Sequence, residues 1–482
     1  MPSADAAAPA RPPRAGAGDR RVIGVVVGVQ LTASLGFYAV MAHVVAHLRD
    51  DVGLLAGTIG FVLGARLLVQ YALLLPFGAL VDAIGGPRGG VLACALRAAG
   101  FAVLAVAGGV PALLAASVLL GAGGAFFHPV AQSLLAGTSP AVRARGYAAY
   151  AFTGQLAMVA APPIGLAVVA GAFALDGGGG GSGGGGDGDV FGPFGVLAAP
   201  DGRFALLAGG AAVAWAIAAA LFLLLDGAPA AQANGASGGT RAHGGRAAAR
   251  EVADGVRDAV RDAAFLRFTA ATCAGPLLSE QATTVVPLRG AGSGGTTLFL
   301  CVAGVVAALI QPWCAARDRA ARDGVVPAGF LVAGGSYAAL IPLGASGAPP
   351  LAGLLAAALL SGIGMGLLMP SVFQQLVRHA PPGRSGAYFG VRAFLAGIVS
   401  FGGGLAVGRL FQSGPGGGAA ALAGLALLSF ASAAACAVKD RKGRAARPAQ
   451  AAPFRNDAAI GAAAPAPVPP PSTITAKARS PR

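Results

Sequence analysis

Glu280 stands in the cluster Pro276-Leu-Leu-Ser279-Glu280-Gln281-Ala-Thr283-Thr284, inside a long apolar stretch. Apolar surroundings favour the neutral carboxyl, and a nearby cation favours the ionised one. A carboxyl balanced between these influences can load and release a proton as its exposure changes. A structural ion pair, or a carboxyl near a polar boundary, is the plainer alternative. Arg66 and Arg97 also fall in apolar stretches, and either can hold Glu280 or an anionic ligand. Gln70 lies one helical turn beyond Arg66, on the same face. Arg97 can instead pair structurally or reach back to a polar boundary. His128 precedes Pro129; it is either a proton relay, since imidazole titrates near neutrality, or a neutral packing residue. Glu280, Arg66 and His128 are the proton-coupling candidates.

Gln30, Ser34 and Tyr38 recur every four residues and share a helix face. With Gln70, Phe127, Gln155, Gln281 and Gln374 they are the candidates for lining a small-molecule cavity. Phe37, Tyr71, Phe126, Gln311 and Gln375 are weaker ones. No G-x-x-x-x-G-K-S/T phosphate loop occurs, and no Ser/His/Asp set stands out. The five cysteines lie in apolar runs with no C-x-x-C spacing, so neither a disulfide framework nor a metal site is expected. An enzyme and a bound cofactor are not expected; a proton gradient is the expected energy source.

What must position these residues follows from composition. Of 482 residues 55% are hydrophobic and 11% charged, and mean hydropathy is +0.71. Soluble proteins carry about 25% charged residues. Twelve apolar runs are long enough to cross a bilayer, which takes about 20 residues. They are 22–45, 54–77, 89–109, 111–136, 147–173, 204–225, 265–288, 296–315, 325–344, 349–377, 387–411 and 419–438. The fold class expected is an all-α polytopic membrane protein. The domains are a cytoplasmic tail 1–21, a six-helix half 22–225 with a Gly-rich external loop 176–203, a cytoplasmic linker 226–262, a second half 263–438 and a disordered tail 439–482. The linker's Arg250/Asp254 and Asp258/Asp262 are spaced as on a charged surface helix.

The net charge of +15 is distributed along short loops and tails, the pattern of membrane topology, and no nucleic-acid partner is expected. With the N-terminus inside, 28 of 34 Lys and Arg fall in inner segments and four in outer ones. Such a bias places both termini in the cytoplasm of a cell-membrane protein.

The halves share spacings. Pro76 precedes Asp82 by six residues and Pro312 precedes Asp318 by six. Gly121, Gly123, Pro129, Pro140 and Arg143 recur with identical spacing as Gly362, Gly364, Pro370, Pro381 and Arg384. A parallel six-helix repeat is a plan of transporters with a midplane site between the halves, and it is sufficient as a monomer.

The stretch Gly78-Ala-Leu80-Val-Asp82-Ala-Ile-Gly85-Gly-Pro-Arg88 resembles the G-x-L-x-D-R-x-G-R-R loop of the major facilitator superfamily. Ala83 replaces the usual basic residue, and Arg88 is displaced. The resemblance implies a gating loop of Gly78, Leu80, Asp82, Gly85 and Arg88, with Asp318 as its counterpart. Gly154, Pro162, Pro163 and Gly165 resemble a loosened antiporter motif of the fifth span, and Gly64 to Phe101 is similar to bacterial multidrug exporters. Ser117 stands where antiporters carry an arginine. The resemblance implies alternating-access transport, with proton-coupled efflux of drug-like or hydrophobic compounds expected. Uptake of a metabolite, or a non-transporting sensor or assembly protein, are the alternatives. The expected partners are a small-molecule substrate, protons and the lipid bilayer.

Overall fold

The structure is a computed structural model describing residues 17–176, 200–225, 245–315, 324–342, 350–381 and 384–445; side chains of 75–84 are outside it. The Gly-rich loop 177–199, the linker residues 226–244, Asp318 and the tail beyond 445 therefore lie outside the described residues. Residues 1–440 form one compact unit; of a second, 441–482, only residues 441–445 are described.

The described residues are helical. In the first half they form α1 (Ala17–Ala46), α2 (Ala56–Ile84), α3 (Gly86–Ala105), α4 (Val110–Ala136), α5 (Pro140–Asp176) and α6 (Pro200–Leu223). The charged helix α7 (Gly245–Arg261) follows. The second half has α8 (Ala263–Thr272), α9 (Ala274–Leu288), α10 (Gly292–Ala315), α11 (Val325–Leu340), α12 (Leu351–His379), α13 (Ser385–Gln412) and α14 (Pro415–Ala445). Among the described residues ten helices are long and apolar enough to cross a membrane, and α11 is a shorter apolar one.

The expected seventh span, 265–288, is two helices instead of one. Pro276 has no N–H for the Thr272 carbonyl, four residues back. Arg392 Nη2 approaches that carbonyl at 3.5 Å. At the start of α8 the Asp262 carboxylate accepts from the Ala264 and Phe265 amides at 2.9 and 3.0 Å, the usual N-cap arrangement. Counting α8–α9 as one broken span gives twelve. Two other expectations change. The Gly78–Asp82 stretch, expected as a loop, is helical, because α2 runs to Ile84. The first helix begins at Ala17, inside the expected tail.

Each half has its own core. Phe101, Phe126, Trp215 and Phe222 anchor the first, and Phe265, Phe268, Phe299 and Phe330 the second. Glycines set the helix approaches, and the internal repeat reappears in them. A Cβ on Gly121 would lie 2.5 Å from the Arg66 carbonyl of α2, and one on Gly362 2.5 Å from the Ala303 carbonyl of α10. A Cβ on Gly123 would press on Ala93 and Arg97 of α3, and one on Gly364 on Ala333 of α11. The first glycine of each pair thus admits the second span of its half, and the second glycine the third span. Across the halves, α2 packs along α13 and α5 along α10; the repeat relates these two contacts.

Candidate functional site

A cavity of about 300 Å³ lies where α1, α2 and α5 of the first half face α9, α10 and α12 of the second. Its one ion pair among the described residues joins the halves: Arg66 Nη2 donates to Glu280 Oε2 at 2.9 Å. Arg66 is 5% exposed, whereas the Glu280 side chain is 37% exposed, so the carboxylate keeps an open side toward the cavity. Glu280 is the seventh residue of α9, one turn beyond Pro276. Gly121 lets α4 approach the backbone of α2 at Arg66.

A second polar bridge crosses the cavity, where Gln155 Nε2 donates to Gln311 Oε1 at 3.1 Å. Cys301 Sγ lies 3.4 Å from the Val159 carbonyl, whose usual helical donor is missing because Pro163 has no N–H. Tyr38, Ser279, Gln281, Thr283, Thr284 and Ser361 complete the polar lining. The rest is apolar, and it includes Met41, Met158, Met365 and Met369. These are four of the five methionines in the chain, the other being Met1. Sequence reasoning missed them; their scarcity elsewhere was the available signal.

Several candidates are positioned otherwise than expected. Tyr38, Gln155 and Gln281 line the cavity, but Gln30, Ser34, Gln70, Phe127 and Gln374 do not. Gln30 and Ser34 are buried, because that face of α1 turns toward α5; Gln30 Nε2 would meet a Cβ on Gly154 at 2.7 Å. Phe127 packs edge-on against Trp215, 5.2 Å between centroids. His128 is not a cavity residue; its Nδ1 shares a hydrogen bond with the Tyr150 hydroxyl at 3.0 Å. Among the described residues Arg97 has no acidic partner. It is 6% exposed, with its guanidinium 4.7 Å from the ring centres of both Phe37 and Trp215.

The fifth-span motif fixes α5 on α1. A Cβ on Gly165 would lie 2.9 Å from the Ala39 carbonyl. His43 Nε2 lies 3.2 Å from the Pro162 carbonyl, while Pro163 itself faces outward. Of the gating-loop residues, Gly85 has φ of +86° and is the N-cap of α3, a conformation that favours glycine. Arg88 is exposed. Gly78 lies within α2, and the side chains of Leu80 and Asp82 are outside those the structure describes.

Two six-helix halves around a cavity, built from helices long and apolar enough to cross a membrane, define a multi-pass membrane protein. The chain belongs to the Major Facilitator Superfamily, whose sequence profile matches residues 26–404. It is 30% identical over 141 residues to an uncharacterized MFS-type transporter of Mycobacterium tuberculosis, 29% of this chain and 34% of that protein. It is 39% identical over 108 residues to the multidrug resistance protein MdtH of Aeromonas hydrophila, 22% of this chain and 26% of that one. The chain thus spans about a quarter to a third of these curated relatives. Among solved structures it is similar to a peptide transporter POT in complex with sulfate, with a TM-score of 0.66 and 17% identity. That match covers 88% of this chain and 95% of the other. It is also similar to a POT family transporter in complex with 5-aminolevulinic acid, with a TM-score of 0.64, 14% identity and coverage of 87% and 96%. At these identities the likeness is one of fold.

Proposed function

We propose that this protein is a proton-coupled transporter of small amphipathic molecules, working by alternating access in the cell membrane with both termini cytoplasmic. The observation that carries the reading is the Arg66–Glu280 pair, which links the two halves inside the cavity. Protonating Glu280 removes the charge that holds Arg66, which weakens the tie between the halves. Proton binding then biases one facing state over the other, and a ligand alters an equilibrium only through such a difference in affinity. The methionine-rich wall supports an apolar, adaptable substrate site, since the thioether side chain is flexible and polarisable.

Efflux of drug-like compounds is the direction we propose, supported by the similarity to multidrug resistance proteins over 108 residues. Uptake of a metabolite uses the same geometry and is the second reading, favoured by Ser117 standing in place of the arginine of antiporters. The test is transport in inverted membrane vesicles that contain the protein, with an imposed proton gradient and a panel of lipophilic dyes and metabolites. Gradient-driven accumulation of a compound, abolished in Glu280→Gln with the protein still folded, is the expected result. Wild-type uphill transport by Glu280→Gln removes Glu280 from the mechanism.

A further inference from the structure

Arg97 is a second buried cation, and the Arg66–Glu280 pair does not account for it. It lies mid-helix in α3, where an unpaired charge is costly. Glu280 is the one carboxylate well inside a membrane span, and it is held by Arg66. Among the described residues Arg97 makes no hydrogen bond or ion pair, and its Nε is buried without a partner. The rings of Phe37 and Trp215 hold the guanidinium through cation–π attraction. Such contacts contribute about 2 kcal/mol when desolvated, but they leave a fork of N–H donors suited to a carboxylate, sulfonate or phosphate.

The surroundings of Arg97 connect it to the cavity. Phe37 touches Arg97 on one hand and lines the cavity on the other; it is also 5.5 Å from the Arg66 guanidinium. Tyr38, the next residue, lines the cavity too and lies within electrostatic reach of Arg97, Arg66 and Glu280. The Gln70 Oε1 atom is buried without a partner. It and Arg97 Nη2 would lie 2.7 and 2.4 Å from a Cβ on Gly124, so Gly124 is what admits both groups to this recess. The interior is therefore a cavity with one neutralised ion pair and, one aromatic ring away, a cation with free donors.

We infer that the transported molecule is an amphipath with an apolar body and one anionic group, and that this group binds Arg97 beside Tyr38 once the Phe37 ring turns aside. The apolar body lies against the methionines. This assignment rests on the transport reading but not on which residue carries the proton.

The test uses purified full-length protein in lipid nanodiscs and three probes of matched shape: phenylbutyrate, phenylbutanol and phenylbutylammonium. Saturable thermal stabilisation is expected with phenylbutyrate at concentrations at least about tenfold below those the other two need. A charge-assisted hydrogen bond is worth about 1.5–3 kcal/mol, and 1.4 kcal/mol is a factor of ten in affinity. Arg97→Gln should remove the preference for the anion while leaving phenylbutanol binding unchanged. Arg97→Lys keeps the charge but loses the planar fork; should Arg97→Gln fail to fold, a reduced but surviving anion preference in Arg97→Lys is the expected result. Equal binding of the three probes by the wild type, preference for the ammonium, or an anion preference lost in Arg66→Gln but kept in Arg97→Gln overturns the proposal. Glu280→Gln separates it from the transport reading. Loss of gradient-driven transport with anion binding intact supports both, and unaltered transport with anion binding lost in Arg97→Gln sinks only the coupling role of Glu280.

Discussion

Gly121 has no side chain, and that lets α4 reach the backbone of α2 at Arg66. A Cβ there would lie 2.5 Å from a main-chain carbonyl, which cannot swing aside as a side-chain tip can. Gly121→Ala is therefore expected to displace the turn that carries Arg66. Overpacking of this kind costs about 1–3 kcal/mol; a lower melting temperature and weakened transport are the expected outcome, checked by thermal unfolding and vesicle flux. Gly362→Ala makes the equivalent contact with Ala303 in the second half. It should destabilise by a similar amount without displacing Arg66, so comparing the two separates packing from positioning. Glu280 and Arg66 could be found in the sequence because charge is rare in apolar runs, and either buried arginine could hold the acid or an anionic ligand. That Arg66 does so, while Arg97 rests between two aromatic rings, depended on helix rotations that a single sequence does not record. Gln30 and Ser34 share a face of α1 with Tyr38, but at these two residues that face turns toward α5 and not to the cavity.

The helices α2 and α13 bring the backbones of the two halves close together at the N-terminal end of α2. A Cβ on Gly60 would lie 2.5 Å from the Gly404 carbonyl, and one on Gly408 2.4 Å from the Ala56 carbonyl. Nearby, Arg49 Nη1 donates to the Pro287 carbonyl at 3.0 Å and the Leu288 carbonyl at 3.3 Å, which ties the end of α9 to the segment after α1. Gly408→Val is expected to disfavour the state in which these ends are packed. A penalty of about 1–3 kcal/mol shifts a two-state equilibrium roughly 5- to 150-fold, so transport should fall by a comparable factor. Site-directed labelling of a cysteine at Leu55, which is exposed, should report greater access if more of the protein is open at that end; unchanged labelling and transport would contradict the role of this contact. Helix number and the repeat were legible from apolar run length and glycine–proline spacing. The break between α8 and α9 was signalled by Pro276, but proline inside an apolar run does not by itself distinguish a kink from a break. Arg384, the last residue of the repeated pattern, forms an ion pair with Asp258 of α7, while its counterpart Arg143 donates to the Thr138 carbonyl at 2.8 Å. The same repeat position has thus been used in the second half to hold the linker helix.

For the whole molecule, we propose that two packed halves rock about the cavity and that protonation of Glu280 sets which arrangement is favoured. Each half has a separate aromatic core, so each can move as a body while the contacts between them exchange. The Arg66–Glu280 and Gln155–Gln311 bridges are those contacts within the cavity. The sign of the pH effect follows from the ion pair. A neutral Glu280 has no charge with which to hold Arg66, so on this proposal acid is expected to populate the arrangement in which the cavity bridge is parted. The most direct measurement places spin labels at Leu55, before α2, and Ser413, after α13, and records their distance distribution in nanodiscs under acidic and alkaline conditions. The expected result is two populations whose ratio changes with pH in the wild type and is fixed at the acidic ratio in Glu280→Gln. A single pH-independent distribution in the wild type, or a Glu280→Gln variant that titrates as the wild type does, would contradict it.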